Sequence, residues 1–283
     1  MRRLLVRPPV TCPGRAALPS LVLALALVLA ACQQQVNLLT DPKAILAAAA
    51  ASTATATSVH IDLTADGPIE VDPFGTGAGA AINLRGTTAA ADIDLAGGKV
   101  RASFSSPNLI NLAGEVIALD GQAFIKSTLT GPKYLSTGIP GSAGASPAPS
   151  AKPLSGLTDL LARSDLQPVK GDDVPCAGGT CYTVTLHLTG ADLVALGGGS
   201  AAGGAAPPPL ALPPIPGLAL PNISEVTADV TIHVEQVSTR LSGIDAITHL
   251  GDVGDPHLVA TFTKWNEPTT IVAPPADQVQ SAP

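Results

Sequence analysis

Polar and apolar residues alternate in three stretches of the chain with the two-residue period of a β-strand. In residues 58–64 Val59, Ile61 and Leu63 fall on one side, and residues 182–188 and 226–234 repeat the pattern. The apolar sides of the last two stretches hold Tyr182, Val184, Leu186 and Leu188, then Val226, Ala228, Val230, Ile232 and Val234. Such alternation is typical of an antiparallel sheet with one covered face and one face in solvent.

Two stretches predict helices, and shorter apolar runs between turn residues predict further strands. Asp41-Pro42 is typical of a helix start, so we expect a helix over residues 43–56. Leucines at helical spacing predict a second helix over residues 153–163, and residues 191–196 add a helical turn. The further strands are expected at about residues 87–95, 99–104, 116–119, 122–127, 241–249, 258–265 and 269–272. The pattern indicates an α+β fold in which an antiparallel sheet carries a few helices on its apolar face.

The first 31 residues have the pattern of an export signal, with four arginines before an apolar run that is too short to span a membrane. Leu29-Ala30-Ala31-Cys32 matches a bacterial lipobox, which predicts removal of residues 1–31 and attachment of diacylglyceryl and palmitoyl chains to Cys32. The chain is then exported and lipid-anchored to the outer face of the cell membrane, with residues 32–40 as a lipidated tether. A plain transmembrane anchor or a buried cysteine is the alternative.

Charge and composition bear on the rest of the chain. Beyond residue 31 it holds 11 of the 15 basic residues against all 22 acidic ones, which argues against nucleic acid and against electrostatic binding to anionic lipid. Residues 41–273 are long enough for one domain. Within it, residues 138–153 and 197–221 are rich in Pro, Gly and small residues and are expected to be flexible loops, and residues 274–283 are expected to form a disordered tail.

The sequence carries no recognisable catalytic or cofactor-binding motif, so we predict neither an enzyme nor a cofactor. Cys176 and Cys181 are an even pair in an exported chain and are predicted to form a structural disulfide, since no second pair completes a zinc site. His60 with Asp62, and His233 with Glu235, lie two apart on the polar side of a strand. A solvated sheet face is favoured there over a metal site.

Apolar binding is the function left by these exclusions. A curved sheet with helices over its apolar side encloses a cavity when its side chains are small, and aromatic residues are few in this chain. The candidate cavity residues are Val59, Ile61, Leu63, Ala102, Phe104, Val184, Leu186, Val230 and Ile232. The sequence pattern is the same for a filled core and for an open cavity.

Several motifs resemble the LppX/LprAFG family of bacterial envelope lipoproteins. They are the lipobox cysteine Cys32, the helix-to-strand entry around Ser58-Val59-His60, the segment Asp120-Gly121-Gln122-Ala123-Phe124-Ile125-Lys126, and Trp265-Asn266-Glu267-Pro268 with the following Ile271-Val272-Ala273-Pro274-Pro275. The resemblance implies a half-barrel sheet with helices on its concave side, around a hydrophobic cavity that carries acylated lipids or glycolipids across the envelope. The 197–221 segment and the Cys176 to Cys181 loop depart from the family, and no family binding residue is transferred by motif.

The expected function is therefore that of a membrane-anchored lipoprotein whose partners are the membrane and a lipid or glycolipid ligand. The alternative is a structural or adhesive cell-surface module that binds a protein partner, which the sequence does not identify.

Overall fold

The computed structural model describes residues 38–71, 80–138, 154–196 and 226–281, which belong to one compact unit that begins at Leu38. Within these ranges the chain is mostly β, with three short helices. The strands are β1 (Ser58–Asp66), β2 (Pro68–Val71), β3 (Ala80–Asn83), β4 (Thr87–Asp94), β5 (Lys99–Ser106), β6 (Leu112–Leu119), β7 (Gln122–Ser127), β8 (Tyr134–Gly138), β9 (Val169–Lys170), β10 (Val174–Cys176), β11 (Gly179–Thr189), β12 (Thr227–Glu235), β13 (Leu241–His249), β14 (His257–Thr263) and β15 (Val279–Ser281). The predicted signal segment, Cys32, most of the tether and most of the two predicted flexible loops lie outside the described residues.

Thirteen of these strands form one sheet, in the order β10-β11-β12-β13-β14-β1-β4-β5-β6-β7-β8-β15, with β9 beside β11. Neighbours in the order pair antiparallel except β8 and β15, which are parallel, so the sheet is mixed rather than wholly antiparallel as predicted. β2 and β3 form a separate two-stranded antiparallel sheet, for which the sequence analysis predicted no strands.

The first helix, α1 (Pro42–Ala54), confirms the predicted helix start. The Asp41 side chain accepts a hydrogen bond of 3.0 Å from the Lys43 backbone N–H, and proline occupies the first helical position. Ile45 and Leu46, with Ala49 and Ala50 one turn later, are buried in the main core. The helix therefore presents one apolar stripe to the sheet.

Two seven-residue helices follow along the chain, namely α2 (Ser155–Leu161) and α3 (Gly190–Leu196). The Asp192 carboxylate accepts from the backbone N–H (2.8 Å) and the hydroxyl (2.7 Å) of Thr189, just ahead of α3. It also pairs with Arg163, just after α2, so one carboxylate joins the two helices. α1 and α3 contact β11 and β12, and α2 contacts α1 and α3.

The Trp265 segment forms a corner that fastens β14 to the start of β1. Trp265 is buried, stacks on Phe262 with ring centroids 6.1 Å apart, and donates from Nε1 to the Leu241 carbonyl at 2.9 Å. The backbone N–H of Asn266 donates to the Ser58 carbonyl at 3.0 Å, and its side chain accepts from the Thr57 N–H at 2.8 Å. The motif thus has a structural role in the part of the chain described.

The C-terminal segment differs from its prediction. Residues 269–272 are not a strand, and residues 276–281, expected in a disordered tail, form a 3-10 turn followed by β15. Ile271 packs with Ile117, Phe124 and Tyr134 on the face of β6 to β8 opposite the helices. The prediction missed this because the segment is ordered by pairing with β8, a strand about 145 residues earlier in the chain.

Candidate functional site

One face of the large sheet is apolar from β11 across to β8. The strand registers place Leu63 beside Ala89 and Ala89 beside Phe104, while Ile61 begins a second row. That second row runs through Ala91, Ala102, Val116, Ile125 and Leu135. The apolar sides of neighbouring strands therefore form a continuous surface.

The two halves of this face differ in burial. On β11 and β12 the side chains beneath the helices are 0–1 % exposed: Tyr182, Val184, Leu186, Leu188, Ile232 and Val234, with Ala228 beside them. On β4 to β8 Ile93 and Leu112 are also buried, at 6 % and 9 % exposed, but the other apolar residues of this face are only partly buried: Ala89, Ala91, Val100, Ala102, Phe104, Val116, Ala118, Ala123, Ile125 and Leu135. The first half is a core, whereas the second half retains apolar surface in contact with solvent.

Small residues in the second half of the apolar face have side chains that rise little above the sheet. Alanine occupies three of the eight positions that face this way on β4 and β5, namely Ala89, Ala91 and Ala102, and Gly114 follows on β6. A Cβ atom at Gly114 would lie 2.7 Å from Phe104 Cζ and closer still to the Lys126 carbonyl oxygen. The Phe104 ring therefore lies against Gly114, along the sheet.

An open depression of about 400 Å³ lies at the centre of the sheet. Three consecutive residues from each of β1, β4 and β5 line it: 62–64, 88–90 and 103–105. Leu63 and Phe104, two of the predicted cavity residues, are among them.

The nine predicted cavity residues all belong to the apolar face, but they divide between its halves. Five are buried in the main core: Val59, Val184, Leu186, Val230 and Ile232. The other four, Ile61, Leu63, Ala102 and Phe104, are partly buried on β1 and β5. The sequence prediction did not include Ala89, Ala91, Val116 and Ile125, which lie in the same rows. In β4 the sequence pattern does not show which alanines face the apolar side, because residues 89–91 are all alanine.

On β1, β4 and β11 to β14 the opposite face is mainly polar and carries paired histidines and aspartates. His60 Nδ1 lies 2.7 Å from Asp92 Oδ1, and its Nε2 lies 3.4 Å from the predicted neighbour Asp62. Three further histidines, His187, His249 and His257, also have aspartate partners, most of them brought close by the pairing of neighbouring strands. The pairs are His187 with Asp229 at 2.9 Å, His249 with Asp229 at 3.2 Å and with Asp255 at 3.0 Å, and His257 with Asp245 at 2.8 Å.

These contacts shift two ionisation equilibria. Hydrogen bonds with His187 and His249 lower the pKa of Asp229, and hydrogen bonds with Asp255 and Asp229 raise the pKa of His249. His233 and Glu235 do not form the pair considered from the sequence, since Glu235 bonds to the Ser238 hydroxyl and His233 Nδ1 is buried without a partner. No group of three or more His, Cys, Asp or Glu among the described residues is arranged to hold a metal ion.

Behind the partly buried apolar half, Glu115 is the centre of a polar cluster. It accepts from Tyr134 at 2.5 Å and pairs with Arg101 at 2.6 Å, while the Lys126 ammonium lies 4.5 Å from the centre of the Tyr134 ring. Burial alone would raise the pKa of Glu115, but the hydrogen bonds from Tyr134 and Arg101 outweigh it and lower the pKa. The cluster adjoins the Ile271 contact described above.

Cys176 and Cys181 form the predicted disulfide, with Cα atoms 5.8 Å apart, and it joins β10 to β11. None of the helices in the described ranges has the length and apolar character needed to cross a bilayer.

No protein-family model and no curated protein matches the sequence. Among solved structures, the fold is similar to that of lipoprotein LppX from Mycobacterium tuberculosis, with a TM-score of 0.48 and 15 % identity over 82 % of this chain and 98 % of that chain. It is similar to LprF from Mycobacterium bovis, with a TM-score of 0.48 and 16 % identity over 84 % and 98 %. An uncharacterized conserved protein from Thermus thermophilus gives a TM-score of 0.36 and 9 % identity over 85 % and 98 %. LppX and LprF both carry names included in the LppX/LprAFG family that the sequence motifs resemble.

Proposed function

We propose that this chain is an exported lipoprotein, acylated at Cys32, that binds the acyl chains of a lipid or glycolipid and carries them across the cell envelope. The observation that carries the proposal is the unequal burial of the apolar face. Under the helices its side chains are enclosed, whereas on β4 to β8 most of them, all but Ile93 and Leu112, are partly open to solvent. A contiguous apolar surface of this kind is rarely left exposed in a soluble domain unless it contacts a ligand or partner.

An acyl chain suits this surface better than a polar ligand does. The rows that begin at Ile61 and Leu63 present alanine, valine and isoleucine side chains and few polar atoms. Each Å² of apolar surface that a hydrocarbon chain removes from water contributes about 25 cal/mol. In this proposal the sheet curls around the acyl chain as a half-barrel, and the small alanines leave the space that the chain fills.

The test is lipid retention by a chain that has no acyl anchor of its own. The chain from residue 32, carrying Cys32→Ser and exported through an unrelated signal peptide, is purified without detergent, extracted with organic solvent and analysed by mass spectrometry. We expect acylated lipid at a defined ratio to protein. Recovery of none would contradict the proposal.

A pair of substitutions on β5 locates the lipid on the apolar face. Ala102 lies on that face, whereas Lys99 of the same strand points to the polar face and lies outside the depression. Ala102→Gln places an amide against the hydrocarbon and is expected to lower the retained lipid severalfold, because an unpaired buried amide costs about 1–3 kcal/mol. Lys99→Gln is the matched control and is expected to retain the wild-type amount. Equal loss in both variants would exclude this face as the binding surface.

A further inference from the structure

Two loop tips at one end of the sheet expose large apolar side chains. Ile110, between β5 and β6, is 71 % exposed, and Leu129, between β7 and β8, is 65 % exposed. Both loops lie at the same end of the sheet, since β5 and β7 end there and β6 and β8 begin there. The two side chains thus protrude from adjacent points.

Hydrogen bonds hold the two loops together. The Thr128 backbone N–H donates to the Ala113 carbonyl at 2.9 Å, and the Ala113 N–H donates to the Thr128 hydroxyl at 3.3 Å. That hydroxyl donates in turn to the Asn111 carbonyl at 3.2 Å. The tip is consequently one joined structure rather than two independent loops.

The backbone at Ile110 is strained. Its φ is +48°, in the left-handed region that β-branched residues rarely adopt, and Asn111 follows at +52°. Asparagine or glycine would fit this conformation with less strain. An isoleucine held in a costly conformation with its side chain in water gains nothing for the fold, so the strain points to a contact made outside the chain.

Charges around the tip differ from those of the chain as a whole. The loops at this end of β4 to β8, residues 84–86, 107–111 and 128–133, contain Arg85 and Lys133 and no acidic residue, although the complete chain has a net charge of −7. The Asn108 side chain donates to the Arg85 carbonyl at 2.9 Å and so ties the first two loops together. Asp94 and Asp120 lie at the opposite end of the same strands. Asp66 and Asp277 lie at the tip end of the flanking strands β1 and β15, so the absence of acidic residues is a property of the three loops. The net charge of the chain, which argued against binding to anionic lipid, therefore does not describe these loops.

We propose that these loops form a membrane-contact tip, in which Ile110 and Leu129 insert into the surface of a bilayer that contains anionic lipid. Apolar side chains in loops whose only charged residues are cations suit such a surface. Two protruding side chains bury far less than the roughly 800 Å² per partner of a stable protein interface. Beyond the tip the apolar track continues through Leu112 to Phe104 and Val116, so an acyl chain that leaves the bilayer would enter here; this last step rests on the proposed function.

Vesicle binding by the Cys32→Ser chain tests the tip without any contribution from an acyl anchor. The vesicles contain phosphatidylglycerol and phosphatidylcholine in equal parts, or phosphatidylcholine alone, and bound protein is measured by flotation. We expect binding to the mixed vesicles that weakens with salt. Ile110→Asn and Leu129→Asn are each expected to weaken it about tenfold, since each removes apolar area from the bilayer contact.

Val237→Asn is the matched control, because Val237 is 75 % exposed in the turn after β12, at the opposite end of the sheet. It should bind vesicles as the wild type does. Ile110→Asn should melt at the wild-type temperature or higher, because asparagine tolerates a positive φ, so its lost binding would not reflect unfolding. Absence of wild-type binding, or equal loss in Val237→Asn and Ile110→Asn, would overturn the proposal.

The two proposals fail separately. A wild-type chain that retains lipid but does not bind vesicles would refute the membrane-contact tip and leave lipid binding in place. A chain that binds vesicles through Ile110 and Leu129 but yields no lipid on extraction would support the tip and refute lipid binding.

Discussion

Replacing one isoleucine in each half of the apolar face by alanine measures the difference between the halves directly. Ile232 on β12 is 1 % exposed beneath the helices, and Ile125 on β7 is partly exposed in the other half. Both side chains lie on the apolar side of antiparallel strands, and the chemical change is identical. Any difference in cost therefore reports on what covers each position.

The structure gives the expected magnitudes. Ile232→Ala loses the transfer free energy of three carbons and leaves an enclosed cavity, so we expect a cost of about 3–4 kcal/mol in the free energy of unfolding. Ile125→Ala leaves no enclosed cavity, because its surroundings are open, and loses only part of the transfer term of about 0.8 kcal/mol per methylene. We expect a cost of about 1–1.5 kcal/mol for Ile125→Ala, less than half that of the first variant.

The assay is equilibrium unfolding in guanidinium chloride with the disulfide intact, on protein freed of lipid, since a ligand bound only to the folded state would add its own stabilisation. The comparison is valid where the slope of free energy against denaturant is unchanged, so that the shift in midpoint reports stability. Equal costs in the two variants would refute the reasoning, because they would show that both positions are enclosed to the same degree.

Two further predictions concern the polar face and the disulfide. Because the pKa of Asp229 is lowered in the folded state, its interactions stabilise the fold at pH values above the pKa of the carboxyl group in the unfolded chain, and this stabilisation is lost as the pH falls. Because the pKa of His249 is raised, its interactions stabilise the fold at pH values below the pKa of the imidazole in the unfolded chain, and this stabilisation is lost as the pH rises. Asp229→Asn should thus differ most from the wild type in unfolding midpoint between about pH 4 and 6.5 and converge with it at alkaline pH; a difference independent of pH would contradict this. Replacing Cys176 and Cys181 together by serine should cost about 2 kcal/mol in the same assay, since the bond closes a short loop, and an unchanged midpoint would show that the loop is fixed without it.

The strands that the sequence predicted well are those with large alternating side chains. β11 and β12 set valine, leucine and isoleucine against threonine, histidine and aspartate, so the period of two is plain. The sequence predicted where β4 begins and ends, but not which of its residues face the apolar side, because alanine occupies both sides at residues 89–91. β8 was missed because its five residues, Tyr134–Gly138, give too short a pattern to reveal alternation.

What the sequence did not reveal depends on contacts between distant residues. The alternation of Ile61 and Leu63 is the same whether a helix covers them or solvent does, so the unequal burial of the two halves has no local signal. The same holds for Asp229, whose two histidine partners lie 42 residues before it and 20 residues after it and meet it only through strand pairing. Strand register, rather than composition, determines both features.

A sheet with one partly open face needs support from elsewhere, and the described residues supply it from behind. Ile117 and Phe124 point away from the open side of β6 and β7 and pack with Tyr134 and Ile271. Beside them, Glu115 accepts a hydrogen bond from Tyr134 and forms an ion pair with Arg101. The C-terminal segment that brings Ile271 to this position is held by β15, which pairs with the outermost strand of this half. Because these contacts lie on the opposite face, they stabilise β6 to β8 without filling the apolar side. The order of the C-terminal segment and the openness of the apolar half are therefore two consequences of one arrangement, in which the strands are braced on one face and the other face stays partly open to solvent.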